Sequence, residues 1–326
     1  MEDNIGLSAR LEDNLNIVED TPKFNREKHI IFLKYAFKSL GSHTSMDVHK
    51  MTILYFVLGS LKILKSLTEH EKEMSIRFVL GNVIVKNKKI IGFRAGSFTG
   101  WSFNQNYKNW NLEDKPHLAS TYCALCILYM CDLKDMENVN LKLKEIYANE
   151  SEVILDDTIF EEITKSQNSS GQISVQSFDT ENDVRFFYCA MAIFKLLGKT
   201  AEEIKRYINY ENGVKFLNSI SNYEGGFSMT VGGESNGGCT FCTIASFHIL
   251  NAKVPDIDNV LFWLNSRNST LGVTGRTNKS PDSCYSFWIM GSLSVLNELR
   301  LFDRENTLAF LMNCQTNKVF ILIYIR

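Results

Sequence analysis

Hydrophobic and polar positions along the chain alternate between two kinds of helical segment. Residues 25–40 (NREKHIIFLKYAFKSL) place Ile30, Ile31, Leu33, Ala36, Phe37 and Leu40 at helical spacing, which predicts a helix with one apolar face. Residues 46–64 (MDVHKMTILYFVLGSLKIL) are apolar on nearly every side, as expected of a helix buried all round. That apolar type returns at 117–130, 182–197, 237–250 and 283–296, each time behind a turn containing Gly or Asp. Before most of them runs a more amphipathic stretch ending in a Gly turn: TIFEEITKSQNSSGQIS, GVKFLNSISNYEGGFS and NVLFWLNSRNSTLGVT. An aromatic-containing pair marks each apolar helix: Tyr55-Phe56, Tyr122-Cys123, Tyr188-Cys189, Phe241-Cys242 and Phe287-Trp288. An outer amphipathic helix followed by an inner apolar one, repeated, predicts an all-α fold built as a closed double ring. Strand-like segments are few; IRFVLGNVIVKNKKIIGF predicts a short hairpin.

In such a ring the inner-helix N-termini meet at one mouth. Arg185, the glycine run at 232–238 and the segment from Arg276 to Cys284 are therefore expected to converge, where helix N-termini and cations together favour an anion. The interior is expected to be lined by Tyr55, Phe56, Tyr122, Phe187, Tyr188, Phe241, Phe287 and Trp288.

Composition narrows this. With 326 residues, 44 % apolar and 12 % aromatic, the chain is long enough for a large core in one domain or two smaller ones, and four prolines and no long polar tract argue against extended linkers; the expectation is a single domain over 25–326 behind a flexible arm over 1–24. A net charge of −2 from 35 basic and 37 acidic residues gives no reason to expect a nucleic-acid or membrane-surface partner. The first residues are acidic and polar, unlike a signal peptide, and no transmembrane run is present. Most of the eight cysteines (Cys123, Cys126, Cys131, Cys189 and Cys242 among them) sit inside apolar runs, which points to reduced thiols in a cytoplasmic protein.

The densest chemistry lies in Gly275 to Trp288, GRTNKSPDSCYSFW. Asp282 and Cys284 offer a hard oxygen and a soft sulfur, a pairing that Zn²⁺ accepts; the plain alternative is a capping Asp beside a buried Cys. Arg276, Lys279 and the Tyr285 hydroxyl are suited to gathering phosphate oxygens.

This segment resembles the zinc and diphosphate segment of protein prenyltransferase β subunits, those of geranylgeranyltransferase type I most of all. The resemblance extends through IGFRAGSF (91–98), PHLASTY (116–122), TENDVRFFYCA (180–190) and YEGGFSMTVGGESNGGCTFC (223–242). It implies an α/α toroid that pairs with a separate prenyltransferase α subunit. It also implies transfer of a geranylgeranyl group from geranylgeranyl diphosphate to the cysteine of a C-terminal CaaX motif, as on small GTPases. By this resemblance Asp282 and Cys284 are two zinc ligands, and Arg276, Lys279 and Tyr285 surround the diphosphate, with Asn236, Gly237 and Gly238 near it. Arg185 and Tyr188 lie beside lipid and peptide, Trp288 on the lipid wall, and His117, Ala119 and Phe186 around the last peptide residue. Thr52 stands where farnesyltransferases carry Trp, leaving room for a fourth isoprene unit; a ring too wide to fill with side chains suits such a guest.

Two departures from the family pattern stand out. Asn236 occupies the place of a His near the diphosphate, trading a charge for an amide donor. The third zinc ligand of the family is a later His, but none of the six histidines here follows Cys284. The outer helix over 305–313 leads into KVFILIYIR in place of a closing turn and last inner helix, so the expectation is a truncated ring with five inner helices. The alternative expectation is a non-catalytic subunit that binds the α subunit without a complete zinc site. A terpene-cyclase-like activity is disfavoured, because LDDT (155–158) and FDTEND (178–183) do not match a D-x-D-D acid segment.

Overall fold

The computed structural model describes residues 23–40, 44–96, 115–146, 153–176 and 179–315. The expected arm, apart from its last two residues, the end of IGFRAGSF and the KVFILIYIR tail lie outside the described residues.

In chain order the elements are α1 (Arg26–Ser39), a 3₁₀ turn (Thr44–His49), α2 (Lys50–Ile63), α3 (Glu69–Leu80), the hairpin β1 (Val83–Lys86) and β2 (Lys89–Phe93), then α4 (Leu118–Met130) and α5 (Met136–Ile146). There follow α6 (Thr158–Lys165), α7 (Val184–Leu196), α8 (Ala201–Tyr207), α9 (Tyr210–Ser219), α10 (Gly237–Ile249) and α11 (Ile257–Asn265). The two-residue strands β3 (Asn268–Ser269) and β4 (Gly272–Val273) then lead into α12 (Ser283–Val295), a 3₁₀ turn (Leu299–Leu301) and α13 (Arg304–Asn313).

Among the described residues five helices form the inner layer, and each lies against the next in the series α2, α4, α7, α10, α12. They are the five apolar helices expected from the sequence, and the fold is an α/α toroid. Helices α3, α5 and α8 were not legible in the pattern of apolar positions: the first turns of α3 are charged, and α8 is short and mostly charged. Both start with a capping box, Thr68 with Glu71 and Thr200 with Glu203, which is the sequence signal that marks them.

The step from outer helix to inner helix is the same tight turn three times. Gly171, Gly225 and Gly272 have φ of +89°, +99° and +113°, a backbone region open to glycine. Each turn also lies against the following outer helix. A Cβ on Gly171 would sit 2.0 Å from the Asn212 carbonyl of α9, and one on Gly225 would sit 2.2 Å from the Asn259 carbonyl of α11. One on Gly272 would sit 2.5 Å from the Phe310 ring of α13. Asn212 and Asn259 return the contact, donating side-chain hydrogen bonds to the Ser169 and Tyr223 carbonyls of those turns at 2.9 and 3.1 Å. The turns therefore set the radius at which outer helices stack.

Between the layers sits a core of large side chains. Phe160 of α6 stacks on Phe194 of α7 with centroids 4.7 Å apart, and Trp263 of α11 is 2 % exposed. Phe187 belongs here too, which corrects its expected place on the interior wall: it is fully buried and meets Phe216 of the outer helix α9 at 6.0 Å. The first and last described helices also meet. Gln315 accepts from the Asn25 amide at 3.0 Å, lies 3.2 Å from the His29 ring, and donates to the Lys23 carbonyl at 3.4 Å.

Candidate active site

Four inner helices begin with a side chain that accepts hydrogen bonds from their own first turn, and these caps carry the candidate residues to one end of the ring. His117 caps α4, its Nδ1 accepting from the Ser120 amide at 3.3 Å. Asp183 caps α7 (Arg185 amide, 2.8 Å) and Asn236 caps α10 (Gly238 amide, 2.9 Å). Asp282 caps α12, accepting from the Cys284 amide at 3.0 Å. The plain reading of Asp282 is therefore correct as far as it goes. The cap uses Oδ1, so the same carboxylate still has a second oxygen to offer a cation.

The Cys284 thiol is half-buried near the Asp282 carboxylate and the Trp288 side chain. Burial first, then the neighbouring carboxylate, push its pKa up to about 12. A divalent cation between sulfur and carboxylate would reverse that logic, because its charge favours the thiolate. By donor chemistry, a carboxylate oxygen and a thiol sulfur two residues apart at one helix start are two of the donor types that Zn²⁺ takes. Among the described residues no third His, Cys, Asp or Glu joins them.

Around this pair the cationic loop is clamped to the α10 N-terminus. Gly237 donates to the Gly275 carbonyl at 2.9 Å, and the Asn236 amide donates to the Tyr285 hydroxyl at 3.1 Å. Tyr285 lies flat on Gly275, where an added Cβ would come within 1.9 Å of the ring. Gly237 and Gly238 bring the helix start close to Tyr285 and Trp288, with a Cβ on them 3.0 and 3.8 Å from those rings. Arg276 pairs with Glu234 at 2.9 Å, and the Thr277 hydroxyl donates to Glu224 at 2.9 Å. Lys279 is exposed further along the same loop. Glu224 and Glu234 went unnoticed in the sequence; the signal was their place beside glycine pairs, Glu224 before Gly225-Gly226 and Glu234 after Gly232-Gly233.

A second group sits at the neighbouring helix starts. Arg185 is held by Asp183, with hydrogen bonds of 2.6 to 3.2 Å that raise its pKa, and its guanidinium lies over the Phe186 ring at 5.7 Å. Phe186 meets His117 edge-on at 6.3 Å, and Ala119 is half-buried on the first turn of α4. The protein around His117 lowers its pKa, opposed by the Glu181 and Asp179 carboxylates.

The two groups are joined by a strip of aromatic rings, one from each inner helix. Tyr55 meets Tyr122 at 5.9 Å, Tyr122 meets Tyr188 at 5.8 Å, and Tyr188 meets Phe241 at 5.5 Å. Phe241 in turn meets Trp288 at 5.4 Å and Phe287 at 5.6 Å. The Tyr55, Tyr122 and Tyr188 side chains are largely buried against one another, and burial raises the pKa of each hydroxyl. The strip's apolar face is open: Phe56, Phe287 and Met290 are 41, 54 and 41 % exposed. Thr52 lies at the strip's far end from Cys284, its hydroxyl 3.9 Å from the Cys123 sulfur.

Residues 24–320 match the family described as the prenyltransferase alpha-alpha toroid domain. The geranylgeranyl transferase type-1 subunit beta of Arabidopsis thaliana is 28% identical, over 92% of this chain and 80% of that one. Its counterpart from Dictyostelium discoideum is 30% identical, over 89% and 82%. Among solved structures, the protein geranylgeranyltransferase-I of Candida albicans complexed with GGPP superposes with a TM-score of 0.69. It is 25% identical, and the match covers 90% of this chain and 84% of that one.

Proposed function

The chain belongs to the prenyltransferase α/α-toroid family, and from that premise we propose that it is the β subunit of a zinc-dependent protein geranylgeranyltransferase type I. In this reading it pairs with a prenyltransferase α subunit in the cytoplasm. It moves a geranylgeranyl group from geranylgeranyl diphosphate to the cysteine thiol of a C-terminal CaaX motif. No described helix is long and apolar enough to cross a membrane. One observation carries the reading: an open aromatic strip from five inner helices ends at Trp288, one helical turn from Cys284 and beside the Arg276 loop. A long apolar chain and its anionic head have a place side by side.

The work of each residue follows from its setting. Arg276, Lys279 and the Tyr285 hydroxyl receive the diphosphate oxygens, with the N-termini of α10 and α12 adding their dipoles. Asn236 holds the Tyr285 hydroxyl in place at 3.1 Å. Tyr122, Tyr188, Phe241 and Trp288 hold the isoprenoid extended, and the small Thr52 leaves space at its end. His117, Ala119 and Phe186 form the seat for the last peptide residue, with Arg185 at its edge. The substrate sulfur then bonds to C1 of the isoprenoid as the C1–oxygen bond breaks, and the electron pair leaves with the diphosphate. Asp282 and Cys284 would hold the Zn²⁺, which when bound lowers the pKa of a thiol so that a thiolate exists at neutral pH.

A second reading, a subunit that binds its α partner without catalysing transfer, is favoured by the two-donor metal set among the described residues. Metal content separates the two. Purified with its α subunit, the wild-type chain is expected to hold close to one zinc per heterodimer, lost in Asp282→Ala and Cys284→Ala. Near-zero zinc in the wild type would favour the non-catalytic reading.

A further inference from the structure

Glu234 lies beside the cationic loop and has none of the roles given above. Its carboxylate accepts from Arg276 Nη1 at 2.9 Å, a single contact that leaves the rest of the guanidinium fork uncommitted. Both side chains are about half in water, 41 and 49 % exposed, so the pair is weak and readily exchanged. The position is equally telling. Glu234 stands two residues before Asn236, whose side chain reaches Tyr285, and its neighbour across the loop, Thr277, is engaged by Glu224. The chain thus brings an anion of its own to the cation best placed to receive one.

We propose that Glu234 is a built-in competitor for the diphosphate: it holds Arg276 in the unliganded chain and gives it up when the diphosphate oxygens arrive. The proposal rests on the reading that the 275–279 loop binds that group. A multiply charged diphosphate takes the guanidinium in a two-pronged contact that a single carboxylate oxygen does not match. After transfer, the same carboxylate recaptures Arg276 and favours departure of the freed diphosphate. Glu234 therefore sets how tightly the site retains its leaving group, without touching the reacting carbon.

The test measures binding of inorganic pyrophosphate by calorimetry to the full chain in its complex with the α subunit. Glu234→Gln, which keeps the shape and removes the charge, is expected to bind pyrophosphate about fivefold tighter than wild type, from losing a paired surface charge and a like charge near the ligand. Product inhibition by pyrophosphate should strengthen by the same factor. In an Arg276→Gln background the Glu234→Gln change is expected to have a clearly smaller effect, since only the loss of a like charge near the ligand remains. Equal or weaker binding by Glu234→Gln, with Arg276→Gln still impaired, would overturn the competitor role and leave the site reading intact. If Arg276→Gln binds pyrophosphate as well as wild type, the site reading fails and this proposal with it. Melting temperatures of all variants within a degree or so of wild type confirm that folding is not what changed.

Discussion

At the scale of single residues, Cys284 is a thiol that is hard to ionise until a cation arrives. In the metal-free chain Cys284 is pushed up to about 12 by burial and by Asp282. Its alkylation by iodoacetamide, followed by site-resolved mass spectrometry, is therefore expected to be slow at neutral pH. Asp282→Asn should shift the pH midpoint of that reaction downward, since it removes the charge that opposes the thiolate. Metal binding must expel the thiol proton, so zinc affinity is expected to rise about tenfold per pH unit between roughly pH 6 and 8. A flat pH profile would mean that Cys284 is not a ligand. Gly275 gives a steric prediction at the same scale. With a Cβ at 1.9 Å from the Tyr285 ring, Gly275→Ala should cost about 1–3 kcal/mol in denaturant unfolding, or else displace Tyr285 and lose its bond to Asn236. An unchanged midpoint with full diphosphate binding would contradict the packing described for this loop.

The elements explain how a repeated pattern becomes a ring. Three repeats contribute a turn that only glycine fits, and four inner helices carry a polar cap that aims the helix start at the common mouth. Gly225 illustrates the first, at φ +99° and against the Asn259 carbonyl. Gly225→Ala is expected to destabilise by about 1–3 kcal/mol, from strain at positive φ added to the clash. A change below about 0.5 kcal/mol would show that the turn relaxes freely. The apolar inner helices were legible residue by residue, because a helix buried all round has no polar face to confuse the pattern. The pairs Tyr55-Phe56 to Phe287-Trp288 proved to be the contact points of neighbouring helices. Phe187 was misread for a related reason: on such a helix nothing in the sequence says which aromatic faces inward and which faces the outer layer. The carboxylates Glu224 and Glu234 stayed hidden because loop residues carry no periodicity that forecasts a partner across fifty positions.

At the scale of the whole molecule, the first and last described helices meet through Gln315 and the Asn25–His29 turn. Gln315→Ala should raise the hydrogen-exchange rates of α1 amides selectively while leaving α7 and α10 protected. Uniform protection in that variant would contradict that contact. The interior cysteines give a pH signature for the intact core. Burial raises Cys123 and Cys239 to about 11 and Cys126 and Cys131 to about 12, above the ordinary value of 9.0. The unfolded chain therefore releases these protons at lower pH than the folded one. Stability is fully present below about pH 9 and falls as pH rises toward 11–12, which thermal melts in mild alkali should reveal.

The most direct measurement is transfer itself. The chain, purified with a prenyltransferase α subunit and supplied with zinc, is given labelled geranylgeranyl diphosphate or farnesyl diphosphate and a peptide ending in Cys-a-a-Leu. The account predicts label on the peptide cysteine, abolished by zinc chelation, with the geranylgeranyl donor preferred by at least about tenfold in kcat/KM. No transfer from a folded heterodimer, or transfer that persists in Cys284→Ala without metal, would contradict it.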